Sequence, residues 1–244
     1  VVLNVIYRSA RAGAAVARET FRESRRRAGE DPAFALAAER AGSIHGWLSR
    51  GEAELLFHLA ARVRSGQVVV EIGSFLGRST AHIALAVAEG VPVYAIDPHT
   101  GDKTWVERFS IRDADTSPAF RRNMAQLGLE SRVHALVATS ADAAAQWAEE
   151  RPIGLLFVDG WHSSDAVFED GSLWLPHLAP DGCVVFDDWA SPEVWDGMMR
   201  LRRADLLTQP VLGFVGKDLL CGPRDLTLPV RLNRVTRRHG PLQR

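Results

Sequence analysis

Apolar residues fall in short runs separated by amphipathic stretches. Residues 67–72 form a β-branched run, and residues 78–89 carry Ala81, Ile83, Ala84, Leu85 and Val87 at helical spacing. Residues 91–96 then predict a strand ending at Asp97, and residues 132–137 another, followed by a helix over about 142–149. A fully apolar strand, 153–158, ends at Asp159; a helix over 165–177 leads to the strand 183–186, which ends at Asp187. Residues 192–201 read as a last helix, with 206–208 and 211–220 as closing strands. Repeated β-α-β units whose strands are apolar throughout predict a sheet buried on both faces. The expected class is α/β: Rossmann-like, doubly wound, mostly parallel and seven-stranded, with helices on both faces.

Residues 98–120 break the alternation. They are turn-rich, with Trp105, Phe109 and Ile111 in between, and are expected to form a substrate-side loop. Arginine is concentrated at both ends of the chain. Residues 8–27 hold seven arginines against two glutamates and read as a helix, either a lid or a dimer arm; the segment after Pro229 is basic again. The expected division is an N-terminal helical arm or lid over 1–65, a catalytic domain over 66–222 and a basic tail over 223–244.

Composition narrows the function classes. Hydrophobic content of 46% and charged content of 24% are ordinary for a globular chain, and a net charge of −1 gives no basic field for nucleic acid. No apolar run is long enough to span a membrane, and residues 1–7 are too short for a secretory signal, so a cytoplasmic enzyme is expected. The two cysteines form no framework, and Cys183 reads as a small buried hydrophobe.

Chemistry concentrates at the strand ends. Asp159-Gly160-Trp161-His162 and Asp187-Asp188-Trp189 each follow an apolar run, so their carboxylates should emerge side by side. Asp159, Asp187 and Asp188 together suit a hard divalent cation, Mg²⁺ or Mn²⁺. His162 is placed to take a proton from a bound substrate, with Asp159 as the alternative base. Trp47, Trp105 and Trp189 are candidates for stacking on a sugar ring, and His45 and His99 for touching substrate.

A second constellation begins at the strand over 67–72. Glu71-Ile72-Gly73-Ser74-Phe75-Leu76-Gly77-Arg78-Ser79 is a strand end, a glycine turn and a helix start. Gly73 permits a tight turn and close approach, and Gly77 close packing at the start of the helix. The glycine spacing is not that of a dinucleotide pyrophosphate loop, and Glu71 suits a cationic amino-acid moiety. That pairing favours S-adenosylmethionine, with Ser74 and Ser79 as further contacts and Asp97 as acceptor from the ribose hydroxyls.

Over residues 66–220 the chain resembles the class I S-adenosylmethionine-dependent, metal-dependent O-methyltransferases of the catechol and macrolide-sugar type. Glu71 and Asp97 are 26 residues apart and Asp159 and Asp187 are 28 apart, as in the catechol enzymes. The resemblance implies Asp159, Asp187 and Asp188 as Mg²⁺ ligands, His162 in the position of the family's basic lysine, Trp161 beside the adenine and Ser140 in contact with it. Two departures, His162 for lysine and Asp188 for asparagine, point away from phenols towards a sugar or glycoside hydroxyl, such as a methylmannoside. The acceptor is then a small molecule or an oligosaccharide, and the arginine-rich arm suggests a homodimer. Two alternatives stay open at this point: a metal-independent methyltransferase acting on a phenolic or polyketide hydroxyl, and an inactive binding subunit of the same fold.

Overall fold

The computed structural model describes residues 30–100 and 115–235. The chain divides into two units, 1–36 and 37–244. The arginine-rich segment 8–27, Trp105 and the last nine residues of the basic tail lie outside the described residues.

Seven strands form one sheet: β1 Val68–Ile72, β2 Val93–Ile96, β3 Val133–Leu136, β4 Ile153–Val158, β5 Leu178–Phe186, β6 Val211–Val215 and β7 Asp218–Cys221. Their order is β3-β2-β1-β4-β5-β7-β6. The first five pair in parallel, while β7 inserts antiparallel between β5 and β6. The expected doubly wound, mostly parallel sheet is therefore what forms. Strand order reverses between β1 and β4, so the carboxyl ends of these two strands flank the crevice where such sheets bind ligands.

The described helices are α1 Pro32–Ala41, α2 Arg50–Ala60, α3 Arg78–Ala86, α4 Ser117–Leu127, α5 Ser140–Ala145, α6 Ser164–Trp174 and α7 Pro192–Arg203. Side chains alternate across a strand, so Val68, Val70 and Ile72 share one face of β1, and Val69 and Glu71 the other. The first face packs with Ala143 of α5, Val167 and Trp174 of α6, and Met198 and Leu201 of α7. Helix α2 packs against α3 and β4, so helices cover both faces. In α7 the buried residues Val194, Gly197, Met198 and Leu201 recur at helical spacing, the pattern of a helix lying on a core.

Three elements differ from the pattern expected above. Part of the irregular stretch 98–120 is the start of α4, which buries only Phe120 and Met124 and so shows a thin apolar stripe. The helix expected over 142–149 starts and ends earlier, because Thr139 caps it by accepting from the Asp142 amide. Residues 206–208 are not a strand: the amides of Leu206 and Leu207 bond back to the Leu201 carbonyl and close the end of α7. No described helix is long and apolar enough to cross a membrane.

Candidate active site

Beyond β1 the chain turns at Gly73, whose φ of +87° is in the left-handed region. The loop then passes Phe75, a non-glycine residue with φ +44°. Asp97, at the end of β2, supports this shape: its Oδ2 accepts from the Phe75 amide at 2.7 Å and its Oδ1 from the His99 amide at 2.7 Å. Gly77 lets α4 approach the start of α3, since a β-carbon there would stand 2.6 Å from Met124 Cε.

Glu71 takes a different position from the rest of this wall. It is fully buried and points to the α3 side of the sheet, where the Thr80 hydroxyl donates to its Oε2. Burial pushes its carboxyl up to about 7, against the hydrogen bonds from Ser79 and Thr80. Gly73, Ser74, Ser79 and Asp97 line the cavity; Glu71 and Gly77 stand behind them.

At the other end of the same wall lie Thr139, Ser140, Trp161 and Asp170. Trp161 is exposed, whereas Asp170 is buried. The Trp174 indole nitrogen donates to Ser140 Oγ at 2.9 Å. Burial raises the Asp170 carboxyl to about 6, while a hydrogen bond from Ser140 works in the opposite direction. Asp170 is a site residue that the sequence reading did not single out. It sits mid-helix in α6, with no strand end or glycine turn to flag it.

The acidic islands converge as expected, with one rearrangement. Asp159, His162 and Asp187 each offer a ligand atom, all within 4.8 Å of one another. His162 Nε2 is 3.3 Å from Asp159 Oδ1 and 3.7 Å from Asp187 Oδ2. Asp188, with a strained φ of +48°, reaches the opposite side of the ring, its Oδ2 3.1 Å from His162 Nδ1. The imidazole thus stands among the carboxylates rather than beyond them. The hydrogen bond to Asp159 raises its pKa above the ordinary histidine value, with Asp187 and Asp188 adding to the effect.

Lys217 completes the cluster. It follows Gly216 in the turn between β6 and β7, and its Nζ is 2.5 Å from Asp187 Oδ2. Burial lowers its pKa, but the Asp159 and Asp187 carboxylates outweigh that and hold it above the usual lysine range. The sequence signal was a Gly-Lys turn inside the 211–220 run, which reads as strand unless the hairpin is recognised.

This donor set fits a divalent cation. Two carboxylates and an imidazole are oxygen and nitrogen ligands of the right kind, and Asp187 Oδ1 is buried without a hydrogen-bond partner. Of the other candidates, Trp47 and His45 line the cavity. Trp189 belongs to the core, 2% exposed and packed against Trp195 and Phe214. His99 is buried and bonded through Nδ1 to the Thr116 hydroxyl at 2.8 Å.

A single cavity of about 1250 Å³ joins the glycine turn, Asp97, Ser140, Trp161 and the acid–histidine cluster. Residues 70–189, which carry all of these, match a family described as a methyltransferase domain. Over these residues the chain is similar to methyltransferase domains. Its fold is shared by the O-methyltransferase TomG from Streptomyces achromogenes, involved in tomaymycin synthesis and solved with S-adenosylmethionine. The two are 21% identical over 79% of this chain and 90% of that one, with a TM-score of 0.52. An O-methyltransferase from Bacillus cereus, solved with S-adenosylhomocysteine, is 15% identical over 80% of this chain and 92% of its own, at a TM-score of 0.54. The O-methyltransferase NovP is 15% identical over 71% and 80%, at 0.61. At these identities the likeness is one of fold. The matched region thus carries its glycine turn after β1 and its acidic cluster after β4 and the neighbouring β5, at the switch point and beside it.

Proposed function

We propose that the chain is an O-methyltransferase that moves the methyl group of S-adenosylmethionine to a hydroxyl of a sugar or glycoside, with Mg²⁺ or Mn²⁺ held at Asp159, His162 and Asp187. What carries this reading is the shared cavity. The Gly73–Ser79 wall and Asp97 face the same space as the acid–histidine cluster, so a donor and an acceptor can lie side by side. The structurally similar enzymes solved with S-adenosylmethionine and S-adenosylhomocysteine support the donor.

Asp97 is placed at the end of β2 to accept from ribose hydroxyls while its other lone pairs hold the loop. Ser140, Trp161 and Asp170 offer one hydroxyl, one exposed aromatic face and one carboxylate to the adenine end. The sulfonium donor supplies the methyl group, and a bound cation would lower the pKa of an acceptor hydroxyl. Where the cation is held by Asp159, Asp187 and Asp188 instead, the His162 ring is left free to accept the hydroxyl proton when it is neutral. Holding the acceptor oxygen in line with the methyl carbon is the main contribution of the cavity walls.

The test is release of S-adenosylhomocysteine with pooled acceptors (mannosides and their methylated forms, other glycosides, catechols), in Mg²⁺, in Mn²⁺ and in EDTA. Turnover on glycosides that EDTA abolishes is the expected result. Turnover equal in EDTA would remove the cation from the mechanism, and preference for catechols would remove the sugar.

A further inference from the structure

The turn that presents Lys217 is held unusually firmly. Glu52, at the third position of α2, accepts from the Ser49 amide through Oε2 at 2.7 Å and from the Lys217 amide through Oε1 at 2.8 Å. Glu52 is 3% exposed, so both bonds are shielded from water. A β-carbon on Gly216 would stand 2.0 Å from the same Oε1, so the turn closes directly on that carboxylate. On its other side the Lys217 carbonyl accepts from the Trp189 amide at 3.3 Å. Continued past Phe186↔Leu219, the antiparallel register sets Asp218 opposite Asp187 and Lys217 opposite Asp188, from where its side chain reaches Asp187.

A side chain carried on such a turn is aimed rather than free. Its ammonium sits 2.5 Å from Asp187 Oδ2 and 3.9 Å from Asp188 Oδ1. Asp187 is 1% exposed, so this contact neutralises a carboxylate that water cannot reach. The contact falls on the Asp187 carboxylate, whose other oxygen, Oδ1, is buried without a hydrogen-bond partner and would serve a cation at Asp159, His162 and Asp187.

We propose that Lys217 is the built-in counter-cation of the acidic cluster, and that a divalent ion binds there in competition with its ammonium at Asp187. Positive charge at Oδ2 repels a second cation brought to the same buried carboxylate. The lysine therefore sets the affinity of the site low enough for exchange, and keeps Asp187 paired when the ion is away. This rests on the cation-dependent reading above.

The experiment is titration of Mn²⁺ into the full chain saturated with S-adenosylhomocysteine, at pH 8, followed by electron paramagnetic resonance of free Mn²⁺ and by calorimetry. Lys217→Met is expected to bind Mn²⁺ at least tenfold more tightly than the wild type, and Lys217→Arg, which keeps the charge, to stay within about threefold of it. Unchanged or weaker binding by Lys217→Met, with S-adenosylhomocysteine affinity retained, would overturn the competition. A residue that merely propped up the cluster would give that weaker binding. If Lys217→Met does not accumulate folded, Lys217→Gln carries the same expectation. If wild type, Lys217→Met and Lys217→Gln all bind S-adenosylhomocysteine but none binds Mn²⁺ at millimolar concentration, the cation reading fails and the competition with it. Mn²⁺ binding by the wild type with no gain in the variants overturns the competition alone.

Discussion

A β-carbon on Gly73 would stand 1.9 Å from the backbone carbonyl oxygen of Asp159. The glycine turn after β1 and the acid-bearing end of β4 thus meet backbone to backbone, and the two halves of the cavity share one seam. The contact is reinforced where the Asp159 amide donates to the Ile72 carbonyl at 2.9 Å. Gly73→Ala must therefore displace backbone, not a side chain, and must also hold a left-handed φ that alanine resists. We expect loss of about 3 kcal/mol or more of stability and at least a tenfold loss of S-adenosylhomocysteine affinity. Urea unfolding and calorimetry check this; near-wild-type values in both would show that the seam is slack.

Asp97 carries two amide bonds at once, to Phe75 and to His99. Removing the carboxylate leaves both donors without their partner and releases a loop whose Phe75 is in an unfavourable conformation. Hydrogen bonds to a charged acceptor contribute about 1.5–3 kcal/mol each. Asp97→Ala should lower S-adenosylhomocysteine affinity at least tenfold and lower the melting temperature as well. Unchanged affinity in calorimetry would mean that this carboxylate serves only the loop.

Two buried groups pull stability in opposite directions with pH. Burial raises Glu71 from 4.5 to about 7, so between those values the folded chain keeps a proton that the unfolded chain gives up, and stability falls as pH rises. Burial lowers His82 from 6.5 to about 4, so in that range the unfolded chain binds the extra proton, and stability falls as pH drops. Each effect is worth roughly 3 kcal/mol, so between pH 4.5 and 6.5 they nearly cancel. Glu71→Gln removes one side of the balance. Relative to wild type, its stability should climb between pH 4.5 and 6.5, as measured by urea unfolding at several pH values. Parallel curves for the two proteins would show that Glu71 does not titrate in this window.

Asp170 faces the cavity beside Ser140, which in turn accepts from Trp174. A buried acceptor in that position discriminates between a donor and an acceptor on the ligand edge it meets. Asp170→Asn should weaken S-adenosylhomocysteine more than its inosine analogue, which lacks the exocyclic amine. Equal weakening of both, measured in competition, would place the carboxylate away from the adenine.

The sequence by itself determined the strands and what hangs from them. A strand buried on both faces is apolar along most of its length, so the runs ending at Ile72, Ile96, Val158 and Phe186 were legible, and with them the glycine that follows the first and the acids that follow the other three. In a parallel sheet those ends lie on one side, which is why Asp97, Asp159 and Asp187 could be assigned to one site before any geometry was known. Weak local signals were not legible in the same way. Helix α4 buries two side chains and looks like loop, and Asp170 lies within an ordinary helix. Other features belonged to the tertiary structure. Glu71 faces α3 rather than the cavity because β1 has helices on both sides and a strand sends alternate residues to each. His162 stands among the carboxylates because Asp188 turns through a positive φ to reach it. Lys217 meets Asp187 because β7 inserts antiparallel beside β5, a pairing of residues far apart in the chain. Local sequence encodes burial and turning; contacts between distant segments arise only when the sheet is assembled.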